Sequence, residues 1–326
     1  MAITICGSCM EFGSSTMCDT SPGFSFGGTI KAESGFAELP TQAQGSVSGY
    51  TSGGGAPAYS TTIDKFPFAS DGNAADVGEL TQCRDRAAGQ SSDVSGYTSG
   101  GYRGSAVDTI DKFPFASDGN ATNVGELTQI RSNVAGQTSP VSGYTSGGYN
   151  PDRDTIDKFP FASDGNATDV GELTVARRGP SGQSSTTNGY SSGGRSPSPA
   201  AGCNTIDKFP FASDANATDV GNLTVAKYMA AGQNSIESGY ASGGFAPSDF
   251  SRIEKFPFAS DANATDIGEL TQGRYGIAGQ SSDASGYTSG GMNLDTIDKF
   301  PFASDGNATD VGELTQGRYY GAGQQV

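Results

Sequence analysis

Residues 274–316 read RYGIAGQSSDASGYTSGGMNLDTIDKFPFASDGNATDVGELTQ, and this wording returns along nearly the whole 326-residue chain. The string KFPFAS occurs six times, with its first Phe at Phe66, Phe113, Phe159, Phe209, Phe256 and Phe300, at intervals of 47, 46, 50, 47 and 44 residues. A second string, GY(T/S/A)SGG, also occurs six times, with its Tyr at Tyr50, Tyr97, Tyr144, Tyr190, Tyr240 and Tyr287. A unit of this length lies in the range of propeller blades and is too long for ankyrin or tetratricopeptide units. A random low-complexity tract would not hold aromatic and aliphatic positions in phase over six copies.

One unit reads as four strands. RYGIAGQSS supplies the first, SGYTSGG the second, TIDKFPFAS the third and VGELT the fourth, with SDGNATD turning between the last two. Short β-branched and aromatic runs bounded by Gly, Asn, Asp and Ser are the signature of strands and tight turns. No long window carries a helical period, so the expected class is all-β, a propeller of four-stranded antiparallel blades. Pro67 and its five counterparts cannot donate to a ladder, so a bulge or a strand end is expected there. The glycines of the first two strands make sense where backbones crowd around a propeller axis.

Full units run over about 40–82, 83–129, 130–175, 176–225, 226–272 and 273–316. Two remnants are left. Residues 318–326, RYYGAGQQV, look like a lone first strand, and residues 23–39, GFSFGGTIKAESGFAEL, look like a shortened set of the other three. Joined, they would make a seventh blade that covers the open edges, so a seven-bladed propeller over 23–326 is the favoured reading. Six blades with a separate N-terminal extension is the alternative. Residues 1–22 break the repeat and read as an arm that docks on another protein or stays an unpaired tail.

Composition removes whole classes of function. The chain has no His and no Trp, which excludes Ser-His-Asp and Cys-His nucleophile systems and imidazole metal ligands. A net charge of −16 argues against nucleic-acid binding, and no apolar run approaches the length of a membrane helix. The opening MAITICGSCMEFGSS lacks the basic and apolar regions of a secretory leader. The five cysteines, Cys6, Cys9, Cys18, Cys83 and Cys203, are odd in number and scattered, which fits reduced thiols and assembly in a cytosol. Cys6-x-x-Cys9 with Cys18 offers only three of the four ligands that Zn²⁺ wants.

The double Gly closing the second strand, the basic residue after the fourth and the period resemble kelch-type β-propeller repeats. Kelch units usually carry a Trp near the fourth strand, where this chain has Leu80, Leu127, Leu173, Leu223, Leu270 and Leu314. The wording GYTSGG, IDKFPFASDGNATDVGELTQ and AGQSS also resembles repeats in virion and tail proteins of marine bacteriophages, especially those infecting cyanobacteria. That resemblance implies a structural or adhesive virion component, located in the virion after assembly in the host cytoplasm.

Two surfaces could carry recognition chemistry. In a meander blade the connections between strands two and three, and between strand four and the next blade, share one face. The former differ in every unit: GAPAYST, YRGSAVD, YNPDRD, RSPSPAAGCN, FAPSDFSR and MNLD. They contain Tyr102, Arg103, Tyr149, Arg153, Arg195, Phe245 and Phe250. The latter bring Arg84, Arg131, Arg177, Lys227, Arg274 and Arg318, with Tyr228, Tyr275, Tyr319 and Tyr320. A rim of Tyr and Arg beside diversified loops suits binding of a protein or a host-surface glycan. The plainer reading is that unconstrained loops drift and that the basic series ties neighbouring blades together.

On the opposite face SDGNATD recurs, and Asp164, Asn166 and Asp169, or Asp305, Asn307 and Asp310, sit at Ca²⁺-loop-like spacing. No Glu stands at the usual bidentate distance, and Asp-Gly-Asn is simply a good turn former. The N-A-T sequons at Asn120, Asn166, Asn216, Asn263 and Asn307 read as turn residues.

These features lead to a non-enzymatic virion component, in head decoration, tail or fibre, meeting other virion proteins through residues 1–22 and a host-surface glycan or protein through its loops. An intracellular kelch-type adaptor is the alternative, though no recruiting domain remains outside the repeats. A glycan-active enzyme on a propeller would need two placed carboxylates, whereas the acids here recur in every unit. No cofactor is expected beyond the Ca²⁺ reading, and no membrane insertion.

Overall fold

A computed structural model describes strands Ile3–Cys6, Cys9–Phe12 and Ser15–Cys18, and residues 44–326 apart from 56, 198–199 and 247–249. The chain divides into two compact units, Met1–Leu39 and Pro40–Val326. In the first, the three strands pair antiparallel in chain order. The shortened blade set expected at 23–39 lies outside the described residues, as do the side chains of Cys6, Cys9 and Cys18.

The second unit is a β-propeller of six four-stranded antiparallel blades, consistent with a kelch-like repeat fold. Blade one joins Ala322–Gln325 to Ser48–Ser52, Thr62–Pro67 and Ala75–Glu79. Blades two to six follow in order as 88–126, 135–172, 181–222, 231–269 and 278–313. The seven-bladed expectation is therefore corrected to six. Residues 318–326 do supply a lone first strand, but its partner is the nearest incomplete unit. Among the described residues before Ser48 none pairs along the edge of Ser48–Ser52. Ala322–Gln325 closes it, with Gln324 opposite Tyr50. An open edge satisfied by a strand from the far terminus locks the ring.

Glycine placement explains how the ring packs. The first strands line the axis, and a Cβ on Gly182 would fall 2.1 Å from the Gly136 carbonyl oxygen of the preceding blade. The same relation runs all the way round, through Gly89, Gly136, Gly232, Gly279 and Gly323. At the double Gly, Gly53 and Gly54 have φ of 63° and 104°, a region costly for any residue with a Cβ.

Pro67 is the last residue of its strand, as expected. The bulge lies elsewhere, between the third and fourth strands at Ile63 and Asp64.

The core sits between blades. Tyr50, Ile63 and Leu80 of blade one pack against Phe113, Phe115 and Ala121 of blade two. The ring of Tyr50 lies 5.6 Å from Phe113 and 4.9 Å from Phe115, and each blade repeats this contact with the next. Leu80 is 4% exposed in the place where kelch repeats usually put Trp. The axial Gln series adds polar stitching: buried Gln90 donates to Ser99 Oγ of its own blade and to the Tyr144 carbonyl of the next, both at 2.9 Å.

Candidate functional site

Every blade carries one fully buried ion pair. Arg84 meets Asp111 at 3.1 Å, Arg131 meets Asp157 at 2.8 Å, Arg177 meets Asp207 at 3.0 Å and Arg274 meets Asp298 at 2.9 Å. Lys227 meets Glu254 at 2.7 Å, and Arg318 meets Asp64. The same carboxylate accepts hydrogen bonds from the preceding blade. Thr128 donates its N–H at 2.9 Å and its hydroxyl at 2.7 Å to Asp157. Each acid thus joins the end of one blade to the body of the next. Burial pulls the Arg131 guanidinium below its usual value, and Asp157 opposes the shift.

None of the six cations exceeds 2% exposure, so the basic series does not form part of a recognition rim. It holds blades together, which is the plainer of the two readings from sequence and takes the place of the binding role considered for Arg84, Arg131, Arg177, Lys227, Arg274 and Arg318. The sequence does hold a signal for the pairing: the one unit that replaces Arg by Lys also replaces Asp by Glu, at Lys227 and Glu254. A shorter cation is matched by a longer acid.

The SDGNATD turns are also joints. Asp164 Oδ1 accepts from Lys112 Nζ at 3.0 Å, Asn166 Oδ1 from the Glu126 N–H at 3.1 Å, and Asp169 Oδ1 from the Gly171 N–H at 3.2 Å. Asp305, Asn307 and Asp310 repeat these contacts with Lys255, Glu269 and Gly312. The oxygens considered for Ca²⁺ are spread over three different jobs. Among the described residues no group of three or more His, Cys, Asp or Glu side chains is placed to hold a metal ion.

The other face, carrying the loops, is built differently. The first loop residue after the double Gly pairs through its backbone with the residue following the buried cation. Tyr102 and Asp85 exchange hydrogen bonds of 2.8 and 3.0 Å, and Tyr149 with Ser132, Arg195 with Arg178, and Phe245 with Tyr228 do the same. The next position closes a ring about the axis. Each N–H of Arg86, Asn133, Gly179, Met229, Gly276 and Tyr320 donates to the carbonyl of the preceding member, at 2.6–2.9 Å. All six have φ between 53° and 66°. Because backbone groups carry these bonds, the side chains are free to differ. They do differ, and they bring in aromatic and basic side chains that the varying turns of the other face lack.

Their side chains gather on one part of the rim. Tyr228 lies 5.1 Å from Phe245, which lies 5.3 Å from Phe250 and 5.5 Å from Tyr275. Tyr275 reaches Tyr320 at 6.5 Å. The Arg86 guanidinium stands 4.6 Å from the ring of Tyr320 and 5.4 Å from that of Tyr102, and Tyr102 meets Tyr59 at 6.0 Å. Burial pushes the Tyr320 phenol up to about 12, and its hydroxyl donates to Met229 Sδ at 3.2 Å.

Elsewhere on the rim Arg178 stacks on Tyr149 at 4.5 Å, Arg103 donates to Gln82, and Arg153 donates to the Asn150 carbonyl. Arg195 is half-buried in a short strand pair, Arg195–Pro197 with Ala200–Gly202. Phe245 and Tyr149 remain 38% and 44% exposed, as a contact surface requires. The reading from sequence placed Tyr102, Tyr149, Phe245 and Phe250 on this face, with Tyr59 inside the loop GAPAYST, but overlooked Asp85, Arg86 and Met229. Aligning the two residues that follow each buried cation would have singled out Asp85, Arg86 and Met229.

No protein-family model matches the chain, and the comparison with curated proteins finds no match either.

Proposed function

We propose that this chain is a non-enzymatic virion component of a bacteriophage, a propeller that presents its diversified face to a glycan or protein of the host surface. One observation carries the recognition part. Variation that brings in Tyr, Phe and Arg falls on one face, at positions held by backbone hydrogen bonds, whereas the varying turns of the opposite face (SSDV, TSPV, SSTT, NSIE and SSDA) bring in no aromatic or basic side chain. Tyr and Arg are the residues that recognition surfaces favour. The virion part rests on the wording of the repeat, and residues 1–22 are the segment proposed to meet other virion proteins. The non-enzymatic part is supported by the absence of His from the sequence and by the structural use of the acids that recur in every blade.

Immunogold electron microscopy of purified particles tests the placement. Label on intact particles supports it, and label found only in soluble host-cell complexes sinks it.

A further inference from the structure

Blade one breaks the pattern of the loop face. Its first loop residue is Gly55, where the other blades carry Tyr102, Tyr149, Arg195, Phe245 and Met292. Beside Gly55 lies a cavity of about 350 Å³ between blades one and two, lined by Gly55, Pro57, Ala58, Tyr59, Asp85, Arg86 and Tyr319. A Cβ on Gly55 would stand 3.3 Å from Asp85 Oδ2, so a larger residue here would crowd the carboxylate that lines the cavity.

Asp85 belongs to no repeated pair. Its equivalents are Ser132, Arg178, Tyr228, Tyr275 and Tyr319, and it is 2% exposed. Its Oδ1 meets Arg86 Nη1 at 3.2 Å, and the two aromatic contacts of Arg86 fix that guanidinium in place. The pocket therefore sets a hydrogen-bond acceptor beside a donor, with tyrosine and proline walls around them. Paired, the two charges leave no net charge for an ionic ligand to answer.

We propose that this pocket binds a single neutral sugar ring, the terminal residue of a saccharide. A vicinal pair of hydroxyls both donates and accepts, which matches Asp85 and Arg86 side by side. The C–H face of a pyranose suits the Tyr59, Tyr319 and Pro57 walls, where apolar bodies and polar edges alternate. The volume is near the lower end for ligand pockets, which fits one ring rather than a polymer lying across the face. Among the described residues Asp85 is the single carboxylate lining the cavity, so the site is read as binding without the second acid that glycoside hydrolysis uses.

This inference rests on reading the loop face as a recognition surface. Saturation-transfer NMR on the full chain, with methyl glycosides of hexoses, 6-deoxyhexoses and N-acetylhexosamines, tests it. At least one glycoside is expected to bind, with Asp85→Asn and Tyr59→Ala each weakening it tenfold or more. Val141→Ser, at an exposed turn on the other face, leaves binding unchanged. Circular dichroism establishes that each variant is folded. A folded wild-type chain that binds no glycoside of the panel, or binding that survives both pocket substitutions, overturns the proposal. Adhesion to host cells without glycoside binding removes the pocket and leaves the face. Glycoside binding by a protein absent from particles leaves the pocket and removes the virion assignment.

Discussion

Two buried carboxylates show how placement decides what an acid does. Asp157 accepts from Thr128 and faces Arg131, with both charged side chains fully enclosed. Removing one member of such a pair strands the other, so Asp157→Ala is expected to cost about 3–5 kcal/mol in denaturant unfolding. By contrast Lys158, 30% exposed in its pair with Asp214, should cost under about 1 kcal/mol when changed to Ala. Asp85 behaves differently again. Burial pushes its carboxyl from 3.8 up to about 6, with Arg86 opposing. Between those values the folded chain holds a proton that the unfolded chain has released, so stability falls as pH rises through the window. The cost of the buried charge is fully present above about pH 6 and on the order of 3 kcal/mol. Asp85→Asn should therefore raise the urea midpoint at pH 7 and leave it little changed at pH 4. A wild-type and variant pair with parallel pH profiles would contradict this.

At the scale of single strands, the axis is the most demanding place in the fold. Gly182→Ala would drive a methyl group into the Gly136 carbonyl oxygen on a ring that has no slack. It is expected to abolish soluble, folded protein, whereas Gly165→Ala, with nothing within 4 Å of the added Cβ, should be tolerated. Expression and circular dichroism of the two variants check the contrast. Strands, turns and the crowding of glycines were legible in the repeat because period-two patterning and turn residues recur in phase. The strand end at Pro67 was legible for the same reason. Blade number was not. GFSFGG and TIK copy the wording of a unit at 23–39, but wording does not say which open edge a lone strand will meet. The partner of the basic series was hard to read as well, since the acid lies 24–30 residues further along, beyond any local pattern. Only the coupled change at Lys227 and Glu254 betrays it.

For the molecule as a whole, closure and display are the two consequences of the repeat. Deleting 322–326 would reopen the edge of Ser48–Ser52 and remove Gln324, which donates to Ser52 Oγ and to the Tyr97 carbonyl at 2.9 Å. The shortened chain is expected to unfold at a lower denaturant midpoint and to self-associate through the free edge, which sedimentation would register. Repetition builds six interlocked blades and frees one set of rim positions to diverge. The pocket at Asp85 was invisible in the repeat wording because it lies beside a single loop residue, Gly55, that is smaller than its counterparts. The most direct test of the functional account is adhesion of the labelled full chain to a panel of cyanobacterial cells, comparing two multiple variants. One carries Tyr59→Ser, Tyr102→Ser, Tyr319→Ser and Phe245→Ser on the loop face. The other carries Val94→Ser, Val141→Ser and Ile236→Ser, all at exposed turns on the opposite face. Adhesion should fall at least tenfold for the first and stay at the wild-type level for the second. No adhesion by the wild type, or loss confined to the second variant, would contradict the account.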